Sequence, residues 1–274
     1  MHAKKQLMKN KMVKILVVIF TLFSVRIFAQ RSEKLARTDQ LIAKEKYLEA
    51  IPLLNLFLKN DTLNSDAFAQ RAKCFVGIGN YDNALSDLQR AIMLNDSNAV
   101  AYSTFGWLYA MTKQYDSSLV NYNKSIALDS LSAPSYNGRG ALYYYFLDQN
   151  DKALDDFNRA IKLDPNSFHA YYNRGIIYRL NGLNEKAIVD YTISLKLHPK
   201  NHLAYRDRGL SYMNLRNYKK AIRDFLKAIK YNTSVNPYEK TDDNELYNDV
   251  CYCYDKLGNK RKVKKYSKKS KRFR

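Results

Sequence analysis

The chain has 274 residues, of which 46% are apolar and 13% aromatic, so it is too apolar for global disorder and long enough for an extended array. Nine Gly and five Pro exclude a loop-rich all-β or collagen-like chain, and 23 Tyr indicate an aromatic motif that is used repeatedly. The formal net charge of +20 does not by itself indicate a nucleic-acid binder, because seventeen of the cations lie in residues 1–29 and 256–274, which contain no acid.

Residues 1–29 have the pattern of a secretory signal peptide. A Lys-rich start is followed by an apolar run over residues 15–25, and Ala29 supplies the small residue that a signal peptidase requires. Cleavage after Ala29 predicts an exported protein that is periplasmic, envelope-associated or secreted. The alternative is a retained N-terminal membrane anchor, although this run is shorter than the roughly 20 residues needed to cross a bilayer.

From Arg31 onward the sequence repeats at a step of 34 residues. The predicted organisation is a degenerate first unit at 30–64, full units at 65–98, 99–132, 133–167, 168–201 and 202–235, and a partial last unit with a basic tail at 236–274. The unit at 133–167 is one residue longer than the others, and its extra residue is placed in a loop near 148–151.

Each full unit contains two stripes of residues at helical spacing, which predict two helices. Positions are counted from the first residue of each unit, and the extra residue of the unit at 133–167 is left out of the count. Position 4 holds a ring (Phe68, Tyr102, Tyr136, Tyr171 and Tyr205), and position 8 holds a tiny residue (Ala72, Gly106, Gly140, Gly175 and Gly209). In the second stripe, positions 20 and 27 are mostly Ala or Ser, and position 24 is Leu or an aromatic residue. Small residues allow the helices to approach closely while the rings fill the gaps.

These positions resemble the tetratricopeptide repeat, as in the run from Tyr171 to Tyr178 followed by Ala187, Tyr191 and Pro199. The resemblance covers residues 31–235. It implies an all-α fold, a right-handed superhelical solenoid of antiparallel helix-turn-helix hairpins. In the last unit, Tyr247 keeps position 4, but the second helix is expected to be lost among lysines.

Position 7 is Arg in four units, and position 23 is Asp in the same four units. The pairs are Arg71 with Asp87, Arg139 with Asp156, Arg174 with Asp190, and Arg208 with Asp224. Where position 7 is Phe105, position 23 is Asn121. We therefore predict a half-buried ion pair across each hairpin, which fixes helix pairing more than it adds stability.

The sequence contains no pattern typical of a catalytic, cofactor or metal site. It has no Gly-rich phosphate loop and no nucleophile elbow. His198 and His202 are four residues apart, but Pro199 places them in a turn between units. The three cysteines have neither metal spacing nor a disulfide framework. We predict a protein that is not an enzyme and binds no cofactor.

The resemblance implies that positions 2, 5, 9 and 12 face an inner groove and select the ligand. The residues predicted to bind a partner there are Lys73, Trp107, Tyr144, Tyr172, Arg179 and Arg206. Aromatic anchors followed by cations fit an amphipathic or extended peptide with acidic groups. The alternative is that Trp107 and Tyr144 only pack against the adjacent helix. The Lys and Asn pair with which the family clamps a C-terminal carboxylate is not matched.

The sequence therefore predicts an exported scaffold that binds a peptide or helix of a protein partner of unknown identity. One alternative is a membrane-associated accessory subunit of an envelope complex, held by an uncleaved N-terminal segment and by the basic tail on an anionic membrane surface. Another is a nucleic-acid-binding protein that uses the tail, which export disfavours. The tail is also interpreted as a solvated cap that prevents the last hairpin from stacking on another molecule.

Overall fold

A computed structural model describes residues 36–232 and 243–270, and the regular structure within them is entirely α-helical. Residues 36–43 form α1. The helices that follow are α2 (Tyr47–Asn60), α3 (Ser65–Gly77), α4 (Tyr81–Leu94), α5 (Ala99–Met111), α6 (Tyr115–Leu128), α7 (Ala133–Tyr145), α8 (Asn150–Leu163), α9 (Phe168–Leu180), α10 (Asn184–Leu197), α11 (His202–Asn214), α12 (Tyr218–Tyr231), α13 (Asp243–Lys256) and α14 (Lys260–Ser270). The predicted all-α fold of helix hairpins is confirmed.

The helices α3, α5, α7, α9 and α11 begin at the first residues of the five full units assigned from the sequence. The extra residue of the unit at 133–167 lies in the turn between α7 and α8, which has four residues where the turn between α9 and α10 has three. The predicted signal peptide at 1–29 lies outside the described residues. Within those residues, every helix is too short or too polar to span a membrane.

The chain divides into two compact units, each larger than a single repeat. The first ends at Leu108 and the second begins at Tyr109. The first unit has a core on α2 and α3 that includes Leu54, Phe57 and Cys74. The second unit has a larger core on α9 to α14. Burial of these apolar side chains stabilises helices that would be marginal in isolation.

Glycine at position 8 brings the two helices of a hairpin into contact. A Cβ atom at Gly140, Gly175 or Gly209 would lie 2.8, 2.7 or 2.7 Å from the ring at position 24 of the same unit. These rings belong to Phe157, Tyr191 and Phe225, all fully buried. The small residues at position 27 are also fully buried (Ala91, Ser125, Ala160, Ser194 and Ala228). Ring and glycine thus form one complementary contact.

The four predicted Arg–Asp pairs are confirmed. In each pair the arginine Nε and Nη2 donate to the two carboxylate oxygens of the aspartate over 2.7–2.9 Å. The arginine side chains are 14–20% exposed and the aspartates 3–8%. A two-pronged pair of this kind fixes the register of the helices because both groups are planar.

The same arginines make a third hydrogen bond that the sequence did not predict. The Nη1 atom donates over 2.7–3.0 Å to a residue sixteen positions earlier, on the second helix of the preceding hairpin. The acceptors are Asn55, Asn123, Asn158 and Thr192. Each arginine therefore links its own hairpin to the one before it.

The last unit differs from the expectation, because its second helix is present as α14. The Tyr266 ring packs against the rings of Tyr247 and Tyr254, with centroids 6.1 and 5.6 Å apart. At the end of the helix, the Ser270 hydroxyl lies 2.5 Å from the Asn244 side chain, on α13. The expectation was wrong because these buried contacts hold one face of the Lys-rich segment on α13.

Candidate functional site

In the compact unit that begins at Tyr109, the first helix of each hairpin lies beside the first helix of the next hairpin. The Asn173 side chain on α9 donates to Asn137 on α7 over 3.1 Å, and the Tyr172 hydroxyl on α9 donates to Asp207 on α11 over 2.9 Å. The face formed by α7, α9 and α11 is called here the inner face. It carries four of the six residues predicted to bind a partner: Tyr144, Tyr172, Arg179 and Arg206.

Asp207 organises the middle of the inner face. Its carboxylate is 1% exposed and accepts hydrogen bonds from the Tyr172 hydroxyl and from the Nε of Arg206, the latter over 3.0 Å. Burial raises the pKa of Tyr172, and the negative charge of Asp207 raises it further, so this hydroxyl remains a donor. Tyr172 is 8% exposed and therefore positions its neighbours more than it offers surface to a ligand.

Sequence reasoning missed Asp207, which occupies position 6 and has no acidic equivalent in the other full units. The available signal was that position 6 is also occupied by the polar, buried residues Thr104 and Asn173. A polar residue that recurs on the buried side of a helix predicts a hydrogen bond to a neighbouring element. Its partner on the next hairpin was not predictable from spacing within one unit.

Beside Asp207 the inner face has an aromatic and cationic edge. The rings of Tyr144 and Tyr145 meet edge to face with centroids 4.5 Å apart, and Tyr145 is 51% exposed. Burial raises the pKa of Tyr144, and the positive charge of Arg179 opposes this shift. Burial raises the pKa of Tyr191, and an interaction with the Arg179 side chain opposes this shift.

The other two predicted residues, Lys73 and Trp107, belong to the first of the two compact units, which ends at Leu108. The Trp107 ring lies 6.4 Å from the ring of Tyr47, which itself crosses α3 at Gly77. Burial lowers the pKa of Lys73, while the nearby carboxylate of Asp39 opposes this shift. Asp39 accepts a hydrogen bond from Gln70 over 2.6 Å. The hypothesis that all six residues bind a partner remains a prediction.

Arg206 also lies close to two acids of α13. Burial raises the pKa of Asp249 to about 6, the charge of Glu245 raises it as well, and the charge of Arg206 opposes the shift. A carboxyl with a raised pKa binds its proton more tightly in the folded chain. Its contribution to stability is therefore present below pH about 4 and is lost as the pH rises through about 6.

Replacing Asp249 with asparagine should raise the free energy of unfolding by about 1 kcal/mol above neutral pH and have no effect near pH 4. The figure allows for solvent screening of a partly exposed group. Urea denaturation at the two pH values measures the effect. Asp255→Asn, an exposed position on the same helix, is the matched control. An equal gain in both variants, or a gain at low pH, would contradict the assignment.

The described residues contain no group of three His, Cys, Asp or Glu side chains arranged to hold a metal ion. The cysteines are free thiols, and burial raises the pKa of Cys74 and of Cys253 to about 12. Neither of these two thiols is ionised at neutral pH, so neither is an activated nucleophile.

Three family models match overlapping or adjoining parts of the chain between residues 144 and 234. A model described as a TPR repeat matches residues 144–182, and two models described as tetratricopeptide repeats match residues 168–201 and 202–234. A TPR repeat-containing thioredoxin TDX from Arabidopsis thaliana is 30% identical over 82 residues, and Hsp70-Hsp90 organizing protein 3 from the same plant is 25% identical over 97 residues. These matches cover 29% and 35% of this chain but only 22% and 17% of the relatives.

Two solved structures with similar folds are matched over most of their chains. PilF of Pseudomonas aeruginosa superposes with a TM-score of 0.65 at 18% identity, over 77% of this chain and 92% of that one. PilW, a type IV pilus biogenesis factor, gives a TM-score of 0.61 at 18% identity, over 74% of this chain and 90% of that one. Identities this low establish a common fold and no more.

Proposed function

We propose that this chain, a tetratricopeptide repeat protein, is a scaffold that holds an extended or helical segment of a protein partner on its inner face without performing catalysis. The observation that carries the proposal is the arrangement of rings and cations on α7, α9 and α11. Exposed aromatic surface lies beside two arginines there, and a buried aspartate balances one of them.

The two arginines have different roles in this proposal. Arg206 is held by Asp207, so its charge is largely compensated within the chain. Arg179 forms no ion pair with any residue in the described ranges, so no carboxylate of the chain balances its charge in the way that Asp207 balances Arg206. A carboxylate of the partner would gain a charge-assisted hydrogen bond at Arg179 while an apolar side chain packs on Tyr144 and Tyr145. The expected ligand is thus a segment with an acidic group next to an apolar anchor.

The proposed location is outside the cytoplasm, and it depends on the signal-like sequence of residues 1–29. The pilus biogenesis factor PilW has a similar fold, which is compatible with such a location but does not assign this chain to a pilus. The alternatives of an envelope accessory subunit and of a nucleic-acid binder both depend on the basic C-terminal segment.

Site-specific photo-crosslinking in cells that express the full chain tests the inner face. A photoreactive phenylalanine replaces Tyr145 in one variant and Val189 in a control variant, because these side chains are similarly exposed at 51% and 58%. We expect defined partners from position 145, none of them from position 189, and a loss of about tenfold in yield when Arg179→Gln is added.

Identical partners from both positions, or a yield that Arg179→Gln leaves unchanged, would show that the inner face is not the binding surface. Circular dichroism of each purified variant distinguishes lost binding from lost folding.

A further inference from the structure

Among the described residues, one face of α14 carries a concentration of cations. Tyr266 and Ser270 are buried on the opposite face, and Arg261, Lys264 and Lys268 follow at spacings of three and four residues on the exposed side. Lys265 and Lys269 lie at the flank, within 5.8 Å of the Tyr266 ring. Arg261, Lys264 and Lys268 form a straight row about 10 Å long, which is called here the cationic row.

The cationic row is exposed and has no acidic counterpart. From Lys260 to Ser270 the sequence contains no Asp or Glu, and no carboxylate in the described ranges forms an ion pair with a residue of this helix. Lys265 and Lys269, which flank the row, are exposed as well. Like charges at these spacings destabilise a helix, so the row is maintained at a cost to folding.

A solvated cap does not account for this composition. A cap requires a polar outer face, and a mixture of charges would provide one without internal repulsion. The helix is nevertheless fixed in place by the stacking of Tyr266 on Tyr254 and by the contact of Ser270 with Asn244. A rigid row of cations of one sign is complementary to an extended anionic surface.

We propose that the cationic row docks this protein on the phosphate layer of an anionic lipid bilayer. A straight row on an exposed helix contacts a flat surface along its whole length. The predicted export of the chain separates it from nucleic acid. Docking is electrostatic, because the row offers no apolar side chain for insertion.

Sedimentation of the full chain with lipid vesicles at low salt tests the proposal. The vesicles contain phosphatidylcholine alone or phosphatidylcholine and phosphatidylglycerol in equal parts. The test variant carries Arg261→Gln, Lys264→Gln and Lys268→Gln, and glutamine preserves helix propensity. The control carries Lys59→Gln, Lys162→Gln and Lys196→Gln, which remove the same charge from exposed positions on α2, α8 and α10.

We expect binding that requires phosphatidylglycerol and falls about thirtyfold in the test variant, but less than about threefold in the control. Equal losses in the two variants would overturn the proposal, because net charge alone would then explain binding. Affinity for a DNA duplex that exceeds the affinity for anionic vesicles would also overturn it, in favour of nucleic acid. These variants leave the inner face unchanged, so the result is independent of the proposed function.

Discussion

Replacing Arg174 with methionine should lower the free energy of unfolding by about 3–5 kcal/mol, because it leaves the Asp190 carboxylate buried without a partner. Asp190 is 2% exposed and receives hydrogen bonds of 2.7 and 2.8 Å from Arg174. The substitution also removes the link to Asn158 on the preceding hairpin. Urea denaturation followed by circular dichroism measures the loss, and hydrogen exchange should show that α9 and α10 open first.

The chain itself provides a control for this prediction. At the same two positions the unit at 99–132 has Phe105 and Asn121, and the Asn121 side chain donates to the carbonyl of Ser117 in its own helix over 2.8 Å. The double variant Arg174→Phe, Asp190→Asn should therefore recover more than half of the lost stability. A single variant that costs less than about 1 kcal/mol would contradict the account, as would a double variant no more stable than the single one.

Replacing Gly209 with alanine should cost about 2–3 kcal/mol, because the added Cβ would lie 2.7 Å from the Phe225 ring. The ring is fully buried and cannot move into solvent. The helices cannot separate easily either, since Arg208, the preceding residue, is joined to Asp224 by two hydrogen bonds. Thermal and urea denaturation of the full chain measure the loss.

A compensating pair already exists in the unit at 65–98, where position 8 is Ala72 and position 24 is Leu88, both fully buried. Gly209→Ala combined with Phe225→Leu should therefore be within about 1 kcal/mol of the parent. If the costs of the two single substitutions simply add, the contact between glycine and ring does not determine the hairpin geometry.

The parts of the fold that the sequence predicts are relations between two residues of the same repeat that are found again in the other repeats. The period, the helix starts and the pairs such as Arg174 with Asp190 involve residues at fixed separations, so several copies reveal each relation. The contact of Tyr172 with Asp207 was not predictable, because it joins two hairpins and occurs once. Position 5 indicated correctly that Tyr172 lies on a first helix but did not indicate that its side chain is buried.

In the basic segment, the sequence predicted the loss of a helix that the structure contains. Its composition suggested that the second helix of the last unit would be lost, because a run of lysines resembles a solvated tail. The buried residues Tyr266 and Ser270 are four positions apart, but two residues make a weak periodic signal. Their contacts lie on α13, and those contacts, not the composition, hold the segment as a helix.

The arginines that join consecutive hairpins have a consequence for how such a chain changes in evolution. Each reaches sixteen or seventeen residues forward to an aspartate and sixteen residues back to an amide or hydroxyl, so the four junctions that contain such an arginine are built alike. Deleting residues 168–201 would present Asn158 to Arg208 in place of Thr192. Recombination can therefore remove or duplicate a repeat with such an arginine without leaving a charge unpaired, and the number of repeats can vary between lineages while the link between neighbouring hairpins is kept.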